Sequence, residues 1–172
     1  MNLNRDVFRE YDIRGIADVD FSGVFPNCLG KAFGSYVINQ NRKKIAVSGD
    51  VRLSTKRLKE GFIQGLMDSG VDVVDIGILP TPTNYFANFN LDINGSVQIT
   101  GSHNPSNYNG FKFTFEKQSF FGEQIQSLYD IIVNEDYHTG SGSCIEVDII
   151  TPYINHIVNK INVDQKIKVI MD

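Results

Sequence analysis

Ser96-Val97-Gln98-Ile99-Thr100-Gly101-Ser102-His103-Asn104-Pro105 is the stretch that decides how this chain is read. A short apolar run, Val97-Gln98-Ile99, passes at once into a loop that offers a hydroxyl, an imidazole and an amide, with Gly101 and Pro105 constraining the backbone around them. That pattern predicts a strand with a chemically equipped loop at its carboxyl end, the end at which open α/β sheets bind ligands. Ser102 is the candidate nucleophile.

Working outward, Phe111, Phe113 and Phe115 alternate with Lys112, Thr114 and Glu116, the period of an amphipathic strand whose aromatic face is core. The turn-rich Ser106-Asn107-Tyr108-Asn109-Gly110 between them is short enough to bring Lys112 back toward the serine loop. Upstream, residues 71–76 read as a strand ended by Gly77, and Thr81-Pro82 as a helix start with a capping hydroxyl. Tyr85, Phe86 and Phe89 are expected to form the apolar face of that helix. Ile45-Ala46-Val47 is a buried-strand signature ended by Gly49, and Ser54 is placed to cap a helix striped by Leu58, Phe62 and Leu66 and closed by Gly70. Residues 25–38 carry a helical stripe through Phe25, Leu29, Ala32, Phe33, Tyr36 and Val37, after an extended stretch over residues 7–16.

Downstream, Ile125, Leu128, Tyr129 and Ile132 mark a further helix, residues 137–143 a loop and residues 145–150 a short strand. Ile154, Ile157, Val158 and Ile161 stripe one more helix. Lys166-Ile167-Lys168-Val169-Ile170-Met171-Asp172 reads as a strand stopped where its loop should follow, so the C-terminus is expected to be a cut. The alternation predicts a three-layer α/β/α domain with a mixed, mostly parallel sheet over residues 1–150. Residues 151–172 would be a linker helix and the first strand of a truncated second domain.

The 172 residues are 41% hydrophobic with a net charge of −4, enough for one compact domain with a buried core. The mild negative balance argues against nucleic acid as a partner, which demands a positive footprint. No segment is long and apolar enough to span a bilayer, and the N-terminus lacks the apolar core of a signal peptide. Cys28 and Cys144 are far apart and read as free, buried or partly buried thiols in a reducing compartment. A cytoplasmic monomer is expected.

The serine loop has two chemical readings. A serine hydrolase needs a base beside Ser102, itself oriented by a third group. His103 is the adjacent residue, whose side chain should diverge, and Asn104 stands where the nucleophile elbow Gly-x-Ser-x-Gly has its second glycine. Phosphoryl transfer through a phosphoserine fits better. A phosphate on Ser102 would carry nearly two negative charges and need cations and N–H donors around it. Gly101 admits close backbone approach, His103 and Asn104 can donate, and Lys112 returns nearby.

Thr100-Gly101-Ser102-His103-Asn104-Pro105 followed by Tyr108-Asn109-Gly110-Phe111-Lys112 resembles the active-site loop of the α-D-phosphohexomutases, and most of all their bacterial phosphomannomutase/phosphoglucomutase branch. Three further stretches agree in order. Phe8-Arg9-Glu10-Tyr11-Asp12-Ile13-Arg14-Gly15 resembles the N-terminal signature. Ser48-Gly49-Asp50-Val51-Arg52-Leu53-Ser54 resembles Gly-Arg-Asp-x-Arg-x-Ser without its first arginine, and Gly77-Ile78-Leu79-Pro80-Thr81-Pro82 resembles the Gly-x-x-Pro-Thr-Pro turn.

The resemblance implies that Ser102 carries a phosphate and exchanges it with a hexose monophosphate, by way of a 1,6-bisphosphate. It places Tyr11, Arg14, His103, Asn104 and Lys112 near substrate, with Arg14 and Lys112 neutralising the moving phosphoryl group. Thr100, Gly101, Asp50 and Arg52 would support the loop. It also implies Mg²⁺, which this chain would meet only through the phosphate on Ser102, and glucose or mannose 1,6-bisphosphate as activator. The remaining metal ligands and the sugar-recognition loop would belong to later domains, so the 172-residue chain alone should be inactive. Gly101, where phosphoglucosamine mutases usually carry alanine, disfavours that specificity.

Blander readings stand beside these. Arg14 could simply pair with Asp12 or Glu10, Tyr11 could be a packed aromatic with its hydroxyl exposed, and Asp50 with Arg52 reads as a structural pair holding the loop after the second strand. His138 and His156 are expected on the surface. A non-catalytic module that binds a phosphosugar or an interaction partner is the competing class of function.

Overall fold

The computed structural model describes residues 3–171. A mixed seven-stranded sheet organises the molecule, formed by β1 (Ile13–Ile16), β2 (Lys44–Gly49), β3 (Asp72–Ile78), β4 (Gly95–Ile99), β5 (Tyr108–Phe115), β6 (Gln118–Ser119) and β7 (Cys144–Glu146). The order is β1-β5-β4-β2-β3-β7, with β6 also on β5. β4, β2, β3 and β7 run parallel, whereas β5 is antiparallel to β4, β1 and β6. The helices among the described residues are α1 (Phe25–Asn39), α2 (Thr55–Asp68), α3 (Thr81–Asn90) and α4 (Glu123–Asn134), which flank the sheet, and α5 (Ile150–Val158), which packs on α3. The expected α/β/α layering with its mixed sheet is present. Among the described residues no helix is long and apolar enough to cross a membrane.

The two faces of the sheet are built differently. On the α1/α2/α4 face the β-strand alternation sends Phe111 and Phe113 into an aromatic core with Phe21, Phe33, Phe62 and Phe120. Phe33 and Phe113 sit with ring centroids 4.9 Å apart, Phe21 and Phe111 5.5 Å apart in an edge-to-face arrangement. α1 and α2 cross here with backbones almost touching, because a Cβ on Gly65 would strike the carbonyl of Asn27.

The opposite face departs from the sequence reading. Tyr85 and Phe89 of α3 are exposed, and the helix buries Thr83, Asn84, Ala87 and Asn88 instead. The reason is a buried polar seam. Asn84 donates to Ser48 Oγ (2.7 Å) and accepts from Ser96 Oγ (2.6 Å). Asn88 donates to Ser96 Oγ (2.8 Å) and accepts from Thr114 Oγ1 (3.0 Å). Ser48 donates to Gln98 Oε1 (2.5 Å), whose amide donates to the carbonyl of Leu79 (3.0 Å). An apolar stripe against these strand hydroxyls would strand their donors in a dry interior. Only Phe86 of the expected trio packs inward, with its ring 5.3 Å from Tyr153 of α5.

Smaller expectations also shift. Pro80, not Thr81, is the cap residue of α3, so the Thr81 hydroxyl caps nothing. Ser54 does precede α2, but its Oγ accepts from Asn109 (2.9 Å) rather than from the helix. Residues 7–16 are extended only in part, since a short 3₁₀ turn occupies Arg5–Val7 before β1 begins. β7 spans Cys144–Glu146 and the chain is helical from Ile150, shortening the expected strand. Residues 166–171 are exposed and form no strand, and Asp172 lies outside the described residues. Cys28 is partly buried, but Cys144 is exposed, contrary to expectation. His138 and His156 are on the surface as expected.

Candidate functional site

The serine loop leaves β4 at the carboxyl edge of the parallel strands, beside the β2–α2 connection at residues 50–54. Ile99 passes the register on in both directions: it pairs with Gly49 of β2 and Phe111 of β5. Thr100 N–H donates to the Gly110 carbonyl (2.9 Å), so the loop starts anchored to the strand that returns from it.

Within the loop the backbone is bound from several sides. Ser102 N–H donates to Thr100 Oγ1 (2.9 Å), and both the N–H and the side-chain amide of Asn104 donate to the Gly101 carbonyl (3.1 and 3.0 Å). Gly101 N–H donates to Asp50 Oδ2 (3.1 Å). Ser102 takes φ +53, a left-handed conformation that L-residues adopt at a cost. Its side chain is exposed at the tip, so the hydroxyl projects free of the interior.

Arg52 is the staple. Its guanidinium donates to the carbonyls of Ser102 (3.1 Å), Asn104 (2.6 Å), Pro105 (2.5 Å) and Tyr108 (3.0 Å), while Nε lies 3.3 Å from Asp50. The sequence offers two roles for Asp50 and Arg52, support of the serine loop and a structural pair holding their own loop. The structure shows the arginine holding the serine loop as well, and the carboxylate aligning the arginine. A planar five-donor fork suits that task where a lysine ammonium would not. Burial would raise the Asp50 carboxyl. The Thr55 hydroxyl, the Arg52 N–H, the Thr100 hydroxyl and the Gly101 N–H outweigh it and hold the group below its ordinary value. Asn109 joins the two loops from below, donating to Ser54 Oγ (2.9 Å) and Thr55 Oγ1 (3.0 Å).

The cations form a second cluster. Arg14 pairs with Gly110 across β1 and β5, and Lys112 pairs with Gln98 across β5 and β4. Strand alternation puts both on the face away from the aromatic core. Gly110 separates Arg14 from Thr100, which spans two strand spacings, about 10 Å. Both cations converge on Asp12, which is buried: Arg14 Nη2 forms an ion pair with its Oδ2, and Lys112 Nζ lies 3.4 Å from the same oxygen. Among the described residues the Nε of Arg14, which is buried, has no hydrogen-bond partner. The Arg14–Asp12 pairing is one the sequence offers, but its sharing with Lys112, which makes Asp12 a residue of the site, is not. Asn109 had no such signal. Tyr11 is exposed, its ring 6.0 Å from that of Phe121.

His103 Nδ1 lies 3.3 Å from Ser102 Oγ, but among the described residues no carboxylate hydrogen-bonds or ion-pairs with its ring. The three-member arrangement of a serine hydrolase is therefore missing here. Nor do the residues present suit a metal: among those described, no group of three His, Cys, Asp or Glu side chains is placed to hold one. Asp50 and Asp12 are turned to Arg52 and to Arg14 with Lys112.

The sequence pattern of phosphoglucomutase/phosphomannomutase, alpha/beta/alpha domain I, matches residues 5–139. The chain belongs to this family. A phosphomannomutase/phosphoglucomutase of Pseudomonas syringae pv. tomato is 39% identical over 166 residues, which is 96% of this chain and 36% of that protein. A phosphoglucomutase of Neisseria meningitidis serogroup A is 36% identical over 173 residues, covering 99% of this chain and 38% of its own length. The crystal structure of a phosphoglucomutase/phosphomannomutase family protein from Burkholderia thailandensis superposes with a TM-score of 0.90 at 37% identity, over 95% of this chain and 37% of that one. The chain thus spans little more than a third of the length of these relatives.

Proposed function

We propose that this chain is the phosphate-carrying domain of a phosphohexomutase that interconverts hexose 1-phosphate and hexose 6-phosphate. The observation that carries the reading is the Ser102 hydroxyl, held exposed in a strained backbone on a loop stapled by Arg52. A nucleophile that must take up and return a large dianion needs this combination of fixed backbone and open side chain. In the first half-reaction a sugar hydroxyl attacks the phosphorus on Ser102, so that its new O–P bond replaces the Ser102 Oγ–P bond and the proton it loses ends, net, on the serine oxygen. In the second, Ser102 Oγ attacks the other phosphate of the bisphosphate, the sugar O–P bond there breaks, and the serine proton ends, net, on the leaving sugar oxygen.

Arg14 and Lys112 supply positive charge on the face beside the loop, where the equatorial oxygens of the moving group need it. Asp12 holds both cations in place. His103 and Asn104 act as loop and hydrogen-bonding residues, Tyr11 at the rim. A hexose 1,6-bisphosphate is the reading's intermediate and activator. Mg²⁺ would meet this chain only through the serine phosphate, its other ligands lying on further domains. The chain alone is expected to be inactive, in the cytoplasm and as a monomer.

The competing reading, a phosphosugar-binding module without turnover, predicts no covalent phosphate. Intact-mass measurement of the complete protein after incubation with glucose 1,6-bisphosphate separates them. One added phosphoryl group, absent in Ser102→Ala, supports the mutase; an unmodified serine favours the module.

A further inference from the structure

β6 and β1 lie end to end along the same edge of β5. Thr114 pairs with Ser119, Phe120 N–H donates to the Phe113 carbonyl (3.2 Å), and Phe111 pairs with Ile13. Side chains alternate along such a ladder. Phe120, beside Phe113, goes into the aromatic core and is 1% exposed. The next residue, Phe121, lies past the end of β6, in the short connection to α4. It is 48% exposed, and Tyr11, at 71%, stands against it with ring planes at 31°. The Gly122 N–H donates to the Glu10 carbonyl (2.7 Å), which fixes the two segments to each other.

Two large aromatic rings are thus left exposed, and one of them, Tyr11, directly precedes Asp12, on which Arg14 and Lys112 converge. Neither ring is required to fill the core, which Phe120 and Phe113 already do. Exposed rings beside convergent polar groups are the composition of a ligand wall. The ligand must be anionic at one end, for Arg14 and Lys112. It must also present a flat apolar surface within one molecule's reach. A pyranose phosphate has both: its C–H face is weakly positive and suits the negative face of an aromatic ring.

We propose that Phe121, together with Tyr11, forms the wall against which the sugar ring of a phosphorylated hexose rests, so that Phe121 is a substrate-contacting residue. This rests on the phosphohexomutase reading above and adds a sugar contact to it. Phe121 lies outside all four stretches that carry the family resemblance, and nothing in the pattern of the sequence marked it.

The test compares Phe121→Ala, Phe121→Leu and Phe121→Tyr with the parent in the complete protein. Mutase turnover of glucose 1-phosphate, Ser102 phosphorylation by glucose 1,6-bisphosphate and thermal unfolding are measured for each. Loss of the ring should lower kcat/KM about 3- to 10-fold through a raised KM. Phe121→Leu should fall between, Phe121→Tyr should restore the parent value, and the unfolding temperature should stay put because the side chain is half exposed. A parent-like KM in Phe121→Ala overturns the wall. So does a fall in kcat that tracks a lowered unfolding temperature, which would make Phe121 a prop. Competition by adenosine monophosphate as strong as that by glucose 6-phosphate also overturns it, since a nucleobase would then be the better fit. If the parent takes no phosphate on Ser102 and turns over no sugar, the mutase reading fails, and the sugar wall with it.

Discussion

Gly101 leaves the space that the guanidinium of Arg52 fills: a Cβ built at residue 101 would fall on the arginine's Nε and Cζ. The far end of an arginine is ordinarily free to move aside. This one is tied to four carbonyls and one carboxylate, so a methyl group at 101 must break contacts to be accommodated. Gly101→Ala should therefore destabilise the protein by about 1–3 kcal/mol, the usual cost of overpacking. Denaturant unfolding reads this directly, and Ser102 phosphorylation should slow in parallel.

Ser102 pays for its position with a left-handed backbone, φ +53. Glycine adopts that conformation without the clash of a Cβ. Ser102→Gly should accordingly be more stable than the parent by about 1 kcal/mol while losing all capacity to hold phosphate. Ser102→Ala should lose the phosphate with no such gain. Equal stability of the two variants in chemical denaturation would contradict the strain.

The polar seam under α3 makes Asn84 the costliest single truncation on that face. Asn84→Ala leaves Ser96 and Ser48 each short of a partner in a buried interface. An unmet buried group costs about 1–3 kcal/mol. The expected loss is about 2–4 kcal/mol by urea unfolding, against less than about 0.5 kcal/mol for an exposed change such as Tyr85→Ser.

The layers, most of the order of strands and helices, and the aromatic face of β5 were legible, because strict alternation at Phe111 and Phe113 and helical spacing at Leu58, Phe62 and Leu66 are local signals; the two-residue β6 is too short to leave one. The buried face of α3 was not. Tyr85, Phe86 and Phe89 look like a core stripe until one knows that Ser48, Ser96 and Gln98 point at the helix, and that is fixed by strands distant in sequence. For the candidate site, short motifs brought Ser102, Asp50, Arg52, Arg14 and Lys112 into view. How they join was out of reach. Arg52 spans from one loop to the next, and Asp12 shares its oxygen with a lysine a hundred residues away. The terminal run at residues 166–171 has strand alternation but no neighbouring strand, and the alternation alone does not make one.

Asp50 predicts how acid reaches the site. Its carboxyl is held below its ordinary value of 3.8 in the folded protein, so its contribution is complete above that value. The contribution is lost as pH falls through the lower folded value. Exchange protection of the Gly101 amide should stay level from neutral pH down to about 4 and fall below it. In Asp50→Asn the protection should be weak throughout and nearly independent of pH. A decline centred near pH 6 would implicate a histidine instead.

The covalent state of Ser102 tests the account most directly. The complete protein is incubated with glucose 1,6-bisphosphate and weighed intact, then digested to locate the modification. One phosphoryl group on Ser102, discharged on adding glucose 1-phosphate or mannose 1-phosphate and absent in Ser102→Ala, is the expected result. A protein that binds the sugar but never gains that mass, or gains it on another residue, would contradict it.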